Sequence, residues 1–164
     1  MEEQIHFSES DAWIFIAFCE TVNNNTFDYV TMVGIADFYQ HAIPNYEEVK
    51  SFFEKGLKYS LISFKDNIFS LSDKGKEIYE KYKKVKGGAF SRTEIAYKKL
   101  NSSRNKLKEN SNIPDFNFIR EKDYLEICKC YLKQMEYFFC KSSLQKKMNF
   151  RGIDEEAEKV KVHK

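Results

Sequence analysis

Every position from Ala12 to Cys19 is apolar. Wound on a 3.6-residue period, these side chains leave no polar side, so the helix predicted from about Ser8 to about Val22 is expected to be buried nearly all round. Ser8 or Ser10 is placed to cap its free amides, and the neighbouring acids suit the positive helix end. A lone small domain rarely encloses a helix so completely. Helix 1 is therefore expected to touch either the C-terminal half or a second copy of the chain.

After the polar stretch Asn23-Asn24-Asn25-Thr26, a second helix is predicted from Phe27 or Asp28 to about Gln40. Tyr29, Val33, Ala36 and Tyr39 or Gln40 form one stripe, with Met32 and Ile35 beside it. Ile43-Pro44 is expected to end it, because a residue before proline is pushed out of the helical region. Asn45-Tyr46-Glu47-Glu48 carries a capping-box pattern, in which Asn45 caps the Glu48 amide and Glu48 reaches back. Val49, Phe52 and Phe53 then face inward, and Gly56 is the expected left-handed stop. Two helices joined by a short turn read as a helix-turn-helix pair.

The alternation changes period at Leu57. Two runs, through Ile62-Ser63-Phe64-Lys65 and Ile68-Phe69-Ser70-Leu71, flank Asp66-Asn67. Both turn residues tolerate positive φ, which pairs Lys65 with Ile68, Phe64 with Phe69, Ser63 with Ser70 and Ile62 with Leu71. Ile62, Phe64, Phe69 and Leu71 then share one face, and Ser63, Lys65, Ile68 and Ser70 the other. Ser72 caps a fourth helix through Tyr82.

Helix, helix, helix, hairpin, helix is an order that resembles bacterial winged helix-turn-helix proteins. The phrase Leu71-Ser72-Asp73-Lys74-Gly75-Lys76 is similar to the leucine, serine or threonine, any residue, lysine, glycine step that follows the wing in many of them. The resemblance covers the N-terminal half. It implies a third helix that enters the DNA major groove and a wing that touches the backbone or minor groove, or the same surfaces turned to proteins.

Gly87-Gly88 reads as a linker, after which Ser91-Arg92-Thr93-Glu94 is expected to cap a lysine-rich helix to about Lys108. Asn110 to Asn117 reads as a loop, Phe116 to Ile119 as a short strand, and Glu121 to about Met148 as one long helix. On it Tyr124, Ile127 or Cys128, Tyr131, Met135 and Phe138 or Phe139 form a wide apolar stripe. The expected organisation is mainly α: a winged helix-turn-helix domain over 8–86 with a small antiparallel β-hairpin, a helical extension over 91–150, and a charged, disordered tail over 151–164. Helix 1 and the C-terminal helix are the expected surface of a homodimer.

The chain of 164 residues has 42% hydrophobic and 16% aromatic content, too rich in Phe and Tyr for disorder. Its net charge of +2 hides a segregation: ten acids against three lysines from Met1 to Ser60, and twelve basic residues against three acids from Lys74 to Lys108. A segregated basic run fits a polyanionic partner, and it fits a solvated helix face equally well. The acidic start lacks the lysine or arginine of a signal peptide, and the run Ala12 to Cys19 is too short to span a bilayer. A cytoplasmic protein with no membrane contact is the expectation.

Candidate chemistry is sparse. Cys19, Cys128, Cys130 and Cys140 have irregular spacing without a C-x-x-C pair, and Cys128 and Cys130 sit about 200° apart on a helix, so free thiols are expected and no metal. Asp37 and His41 are four apart and could share a helix face as base and orienter, but two residues at a common spacing are a weak signal and the structural explanation is preferred. With no phosphate loop, nucleophile elbow or H-E-x-x-H, neither catalysis nor a cofactor is expected. The function expected first is nucleic-acid binding of a transcription-regulator type, with double-stranded DNA as partner. Lys50, Ser51, Lys55, Lys65 and Asn67 are the candidate DNA contacts, and Lys74, Lys76, Lys81 and Lys84 the candidate phosphate partners. Against it stand Glu47, Glu48 and Glu54 on the third helix, which repel a polyanion. The alternative is a winged-helix module for protein association that never meets DNA.

Overall fold

The computed structural model describes residues 6–22, 27–103, 107, 109, 110 and 118–150, with side chains of the last helix as far as Phe139. It is mainly helical, in the order α1 (Glu9–Val22), α2 (Tyr29–Gln40), α3 (Tyr46–Lys58), β1 (Ile62–Lys65), β2 (Ile68–Leu71), α4 (Asp73–Lys83), α5 (Ala89–Ser103) and α6 (Glu121–Phe150). From α1 to α4 this is the winged-helix-like arrangement. The chain divides into two compact units, Met1–Cys128 and Lys129–Lys164. The predicted strand over Phe116 to Ile119 lies partly outside the described residues, and Phe118 and Ile119 are not in a strand. The loop from 111 to 117 and the tail from 151 fall outside the described residues.

The first unit is built around α1, whose residues from Asp11 to Cys19 are all buried. Helices α2, α3 and α5 and strand β2 enclose it. The extension predicted from the sequence thus supplies the missing cover through α5, which also packs on α2 and α4, and the compact unit continues through Gly87-Gly88. Helix α5 begins at Ala89, ahead of the expected Ser91 cap, and the Arg92 amide donates to the Gly88 carbonyl. Phe18 joins the layers: its ring lies 5.4 Å from Phe27, 5.7 Å from Phe53 and 6.3 Å from Phe69. Such tilted and edge-to-face contacts add to area burial.

Local signals explain most element ends. Asp28 caps α2 through the Thr31 amide, and α3 carries the full capping box between Asn45 and Glu48. Helix α2 stops at Gln40, before the proline takes effect, because His41 turns left-handed with φ 54°. Gly56 is not the stop of α3, which continues to Lys58 and is followed by Ser60 at φ 52°. It is a close-packing site instead, since a Cβ there would lie 3.0 Å from the Ile62 side chain.

The hairpin has the expected register, Ile62 opposite Leu71 through Lys65 opposite Ile68. Asp66 and Asn67 have φ of 53° and 61°, the signature of a primed turn whose twist matches the strands. Ser72 caps α4 at the Gly75 amide, and its hydroxyl donates to the Ser60 carbonyl at 2.5 Å. A Cβ on Gly75 would sit 2.1 Å from the Leu61 carbonyl oxygen. The serine and glycine of the phrase after the wing therefore both serve the seam between α4 and the start of β1.

In the second unit, the described residues belong to α6. Leu132, Tyr137, Phe138 and Phe139 are exposed on it.

Gly75→Ala is expected to cost about 3 kcal/mol in urea unfolding, because backbone cannot retreat as a side chain can. Gly56→Ala should stay within about 1 kcal/mol of the parent, the flexible Ile62 contact offsetting the gain in helix propensity. Equal losses at the two sites would remove the distinction drawn between them.

Candidate nucleic-acid interface

A groove-reading helix has to present its N-terminal side chains to base edges. At the cap and over the first three turns of α3 the exposed positions are Asn45, Glu47 and Glu54, while Lys50 and Ser51 are half-buried. Lys55 is turned away from this role. Its ammonium lies 2.6 Å from Asp11 Oδ2, and Asp11 is almost wholly buried in the first turn of α1. The same Asp11 oxygen accepts the Ser8 amide at 2.7 Å. Glu48 is also committed, accepting from the Ser10 hydroxyl at 2.6 Å and from the Asn45 amide at 2.8 Å.

Both ends of α3 are held by the connection between α5 and α6 and the first turn of α6. At the N-terminal end the Tyr46 hydroxyl donates to the Ile119 carbonyl at 3.3 Å, and the Tyr124 hydroxyl donates to the Pro44 carbonyl at 2.6 Å. Burial pushes the Tyr124 hydroxyl well above its ordinary pKa, so it remains a donor at any physiological pH. At the C-terminal end the Asn110 amide donates to the Lys58 carbonyl at 2.7 Å, and Lys58 lies 3.5 Å from Glu109. Phe118 covers the inner face of the hairpin, its ring 4.4 Å from Phe64 and 5.0 Å from Phe69.

The wing tip is open: Lys65, Asp66, Asn67 and Ile68 are all exposed. On α4, Lys74 and Lys81 share one carboxylate, at 2.8 Å and 2.5 Å from Glu77, and Lys76 lies 3.8 Å from Asp73. Hydrogen bonds from Lys74 and Lys81 pull the Glu77 carboxyl down from the ordinary 4.5 to about 2. Lys84, just past α4, is exposed, as are Lys83 and Lys86. Lys83 reaches back over the Tyr79 ring at 5.2 Å.

The structure thus brings Lys74, Lys76 and Lys81 onto one helix, each beside a carboxylate of that helix. Lys65 and Asn67 share the wing tip, and Lys55 belongs to a structural ion pair. The sequence reading missed the closure of the α3 N-terminus, whose signal is spread over residues eighty positions apart, and it missed the basic corner that Lys83 and Lys86 add to Lys84. It also missed the exposed Phe38 and Phe90, which lie off the predicted stripes. The Phe90 ring sits 5.7 Å from His41, which leaves the helix of Asp37 in a left-handed turn.

Cys19, Cys128 and Cys130 are free thiols, and burial raises the first well above its ordinary pKa. Among the described residues no three His, Cys, Asp or Glu side chains are grouped to hold a metal ion, and no helix is long and apolar enough to cross a membrane.

Lys55→Met keeps the aliphatic stem and strands the Asp11 carboxylate, and should cost about 2 kcal/mol in urea unfolding. That is less than the ~3–5 of fully buried pairs, because Lys55 retains 31% of its side-chain exposure. Lys65→Met at the wing tip should change stability by less than about 0.5 kcal/mol. Because the folded-state pKa of Glu77 is depressed, its contribution is complete above the ordinary 4.5 and is lost as pH falls through about 2. Side-chain carboxyl NMR should find it titrating there, and the double change Lys74→Met with Lys81→Met should return it to the ordinary range. In comparisons with known proteins, no family model, no curated protein and no solved structure matches this chain.

Proposed function

We propose that the chain is a winged-helix module for protein association, with α6 as its association surface. The carrying observation is the exposed apolar set on α6: Leu125 and Leu132 are about half exposed, and Phe138 and Phe139 about two-thirds. Large apolar side chains exposed in this number on one helix of a globular protein mark an interaction site. The state of α3 supports the same reading. Its open positions are acidic, Lys55 is committed to Asp11, and residues 119 and 124 occupy the end that a DNA groove requires.

A second reading, nucleic-acid binding of a regulator type, is favoured by one specific feature. Lys65 and Asn67 at the wing tip and Lys81, Lys83, Lys84 and Lys86 at the end of α4 and beyond are all exposed. Such contacts would meet phosphates and carry no base readout.

Fluorescence anisotropy with random duplex DNA at two salt concentrations separates the readings. No salt-sensitive binding at micromolar protein is the expected result. Binding that falls with salt at a log–log slope near −5, as for about six phosphate contacts, and that drops on changing Lys83 and Lys84 to Glu, would overturn the proposal.

A further inference from the structure

Two exposed phenylalanines of the first unit lie at a corner where two stretches of chain meet. The Tyr82 hydroxyl donates to the Tyr39 hydroxyl at 3.0 Å, which ties the end of α4 to the end of α2. The His41 ring, just past α2, lies 5.7 Å from Phe90 in the first turn of α5. Phe38 stands three residues before His41, a spacing that places side chains side by side. Phe38 keeps 68% of its surface in water and Phe90 keeps 60%. Burying either ring in an apolar medium is therefore favourable.

The chemistry around the rings is cationic. The stretches 38–44 and 81–93 hold Lys81, Lys83, Lys84, Lys86, Arg92 and His41, and no aspartate or glutamate except at their margins. Those marginal acids are Asp37, Glu80 and Glu94, of which Glu94 is held by Lys98 at 2.5 Å. Lys84 and Lys86 are exposed, and among the described residues neither is paired with a carboxylate. Lys86 is four residues from Phe90, at most ~14 Å of extended chain, so charge and ring can reach one surface together. The rings favour an apolar medium and the ammonium groups favour phosphate. An anionic bilayer offers both, with headgroup phosphates lying over acyl chains. A single strand of nucleic acid also combines rings with phosphates, but it needs a groove that follows its backbone, and this corner is a projection of element ends.

We propose that this corner docks on the surface of an anionic lipid bilayer, with Phe38 and Phe90 dipping below the headgroups and Lys83, Lys84 and Lys86 among the phosphates. The contact lies on the bilayer and needs no segment that crosses it. It goes beyond the association reading and stands without it, because α6 takes no part. Each lysine near an anionic surface is worth about a fivefold gain in partition. Two shallowly inserted rings, like a single acyl chain, give only reversible anchoring. The docking is therefore reversible and weakens as salt screens the lysines.

Co-sedimentation of the full chain with vesicles tests this, using equal parts phosphatidylcholine and phosphatidylserine against phosphatidylcholine alone. The parent chain should partition onto the anionic vesicles only, and less as salt rises. Lys84→Gln with Lys86→Gln should weaken partition about 25-fold, two lysines at about fivefold each. Phe38→Ser with Phe90→Ser should weaken it about tenfold or more, with an unchanged circular dichroism spectrum because both residues are exposed. Lys65→Gln, on the wing beyond the far end of α4 and so about 16 Å or more along that helix, should stay within about twofold of the parent. Equal partition onto both kinds of vesicle, or onto neither, overturns the proposal. So does a loss at Lys65 as large as that at Lys84 and Lys86, which would mean a general effect of net charge. A chain that ignores vesicles yet binds a single-stranded oligonucleotide through the same residues overturns the bilayer in favour of nucleic acid.

Discussion

A helix with no polar side has to be enclosed, and the enclosure of α1 organises the first unit. Three helices and a strand are needed to cover it, more than a three-helix core with a hairpin provides. This is why the chain returns after α4 to lay α5 across α1 and α2. The enclosure also explains the buried acid. Asp11 opens α1, where a carboxylate suits the positive helix end and the Ser8 amide. Once α1 is covered, that carboxylate is cut off from water and needs a cation, and Lys55 supplies it at 2.6 Å. One apolar run thus fixes the place of α5 and withdraws a lysine from the surface of α3.

The same constraint bears on function. Because α2, α3, α5 and β2 cover α1 within one chain, α1 offers no apolar face to a partner, and exposed large apolar side chains are found instead at Phe38, Phe90 and several positions of α6. The winged-helix-like order of elements carries the expectation of a groove-reading α3, yet here that helix works as an internal strut. Glu48, Lys55 and both ends of the helix are engaged by other parts of the chain.

Where local chemistry decides the structure, it was legible in the sequence. The Asn45–Glu48 box, the Ser72 cap, the Asp66-Asn67 turn and the whole hairpin register follow from residues within a few positions of one another. Gly56 and Gly75 mark where that reasoning stops. Gly56, near a helix end, reads as a left-handed stop, and Gly75 as part of the phrase after the wing, but both positions are set by the approach of another element, Ile62 in one case and the Leu61 carbonyl in the other. The candidate site was less legible for the same reason. A lysine in the sequence carries no sign of whether a carboxylate forty-four positions away will claim it, as Asp11 claims Lys55. Nor does Tyr124 announce that its hydroxyl will reach Pro44.

The two-ended fastening of α3 has a consequence for how the molecule opens. Helix termini ordinarily fray, and their amides exchange with solvent through small local excursions. In α3 the carbonyls just before its start and at its last residue are acceptors for groups fifty-two to eighty positions later in the chain, Tyr124 at one end and Asn110 at the other. Fraying either end therefore means breaking a contact of high sequence separation together with the aromatic packing around it. Helix α3, its flanking connection and the first turn of α6 should consequently exchange their amides as one cooperative block, with the slow rates of a core element and not those of a surface recognition helix.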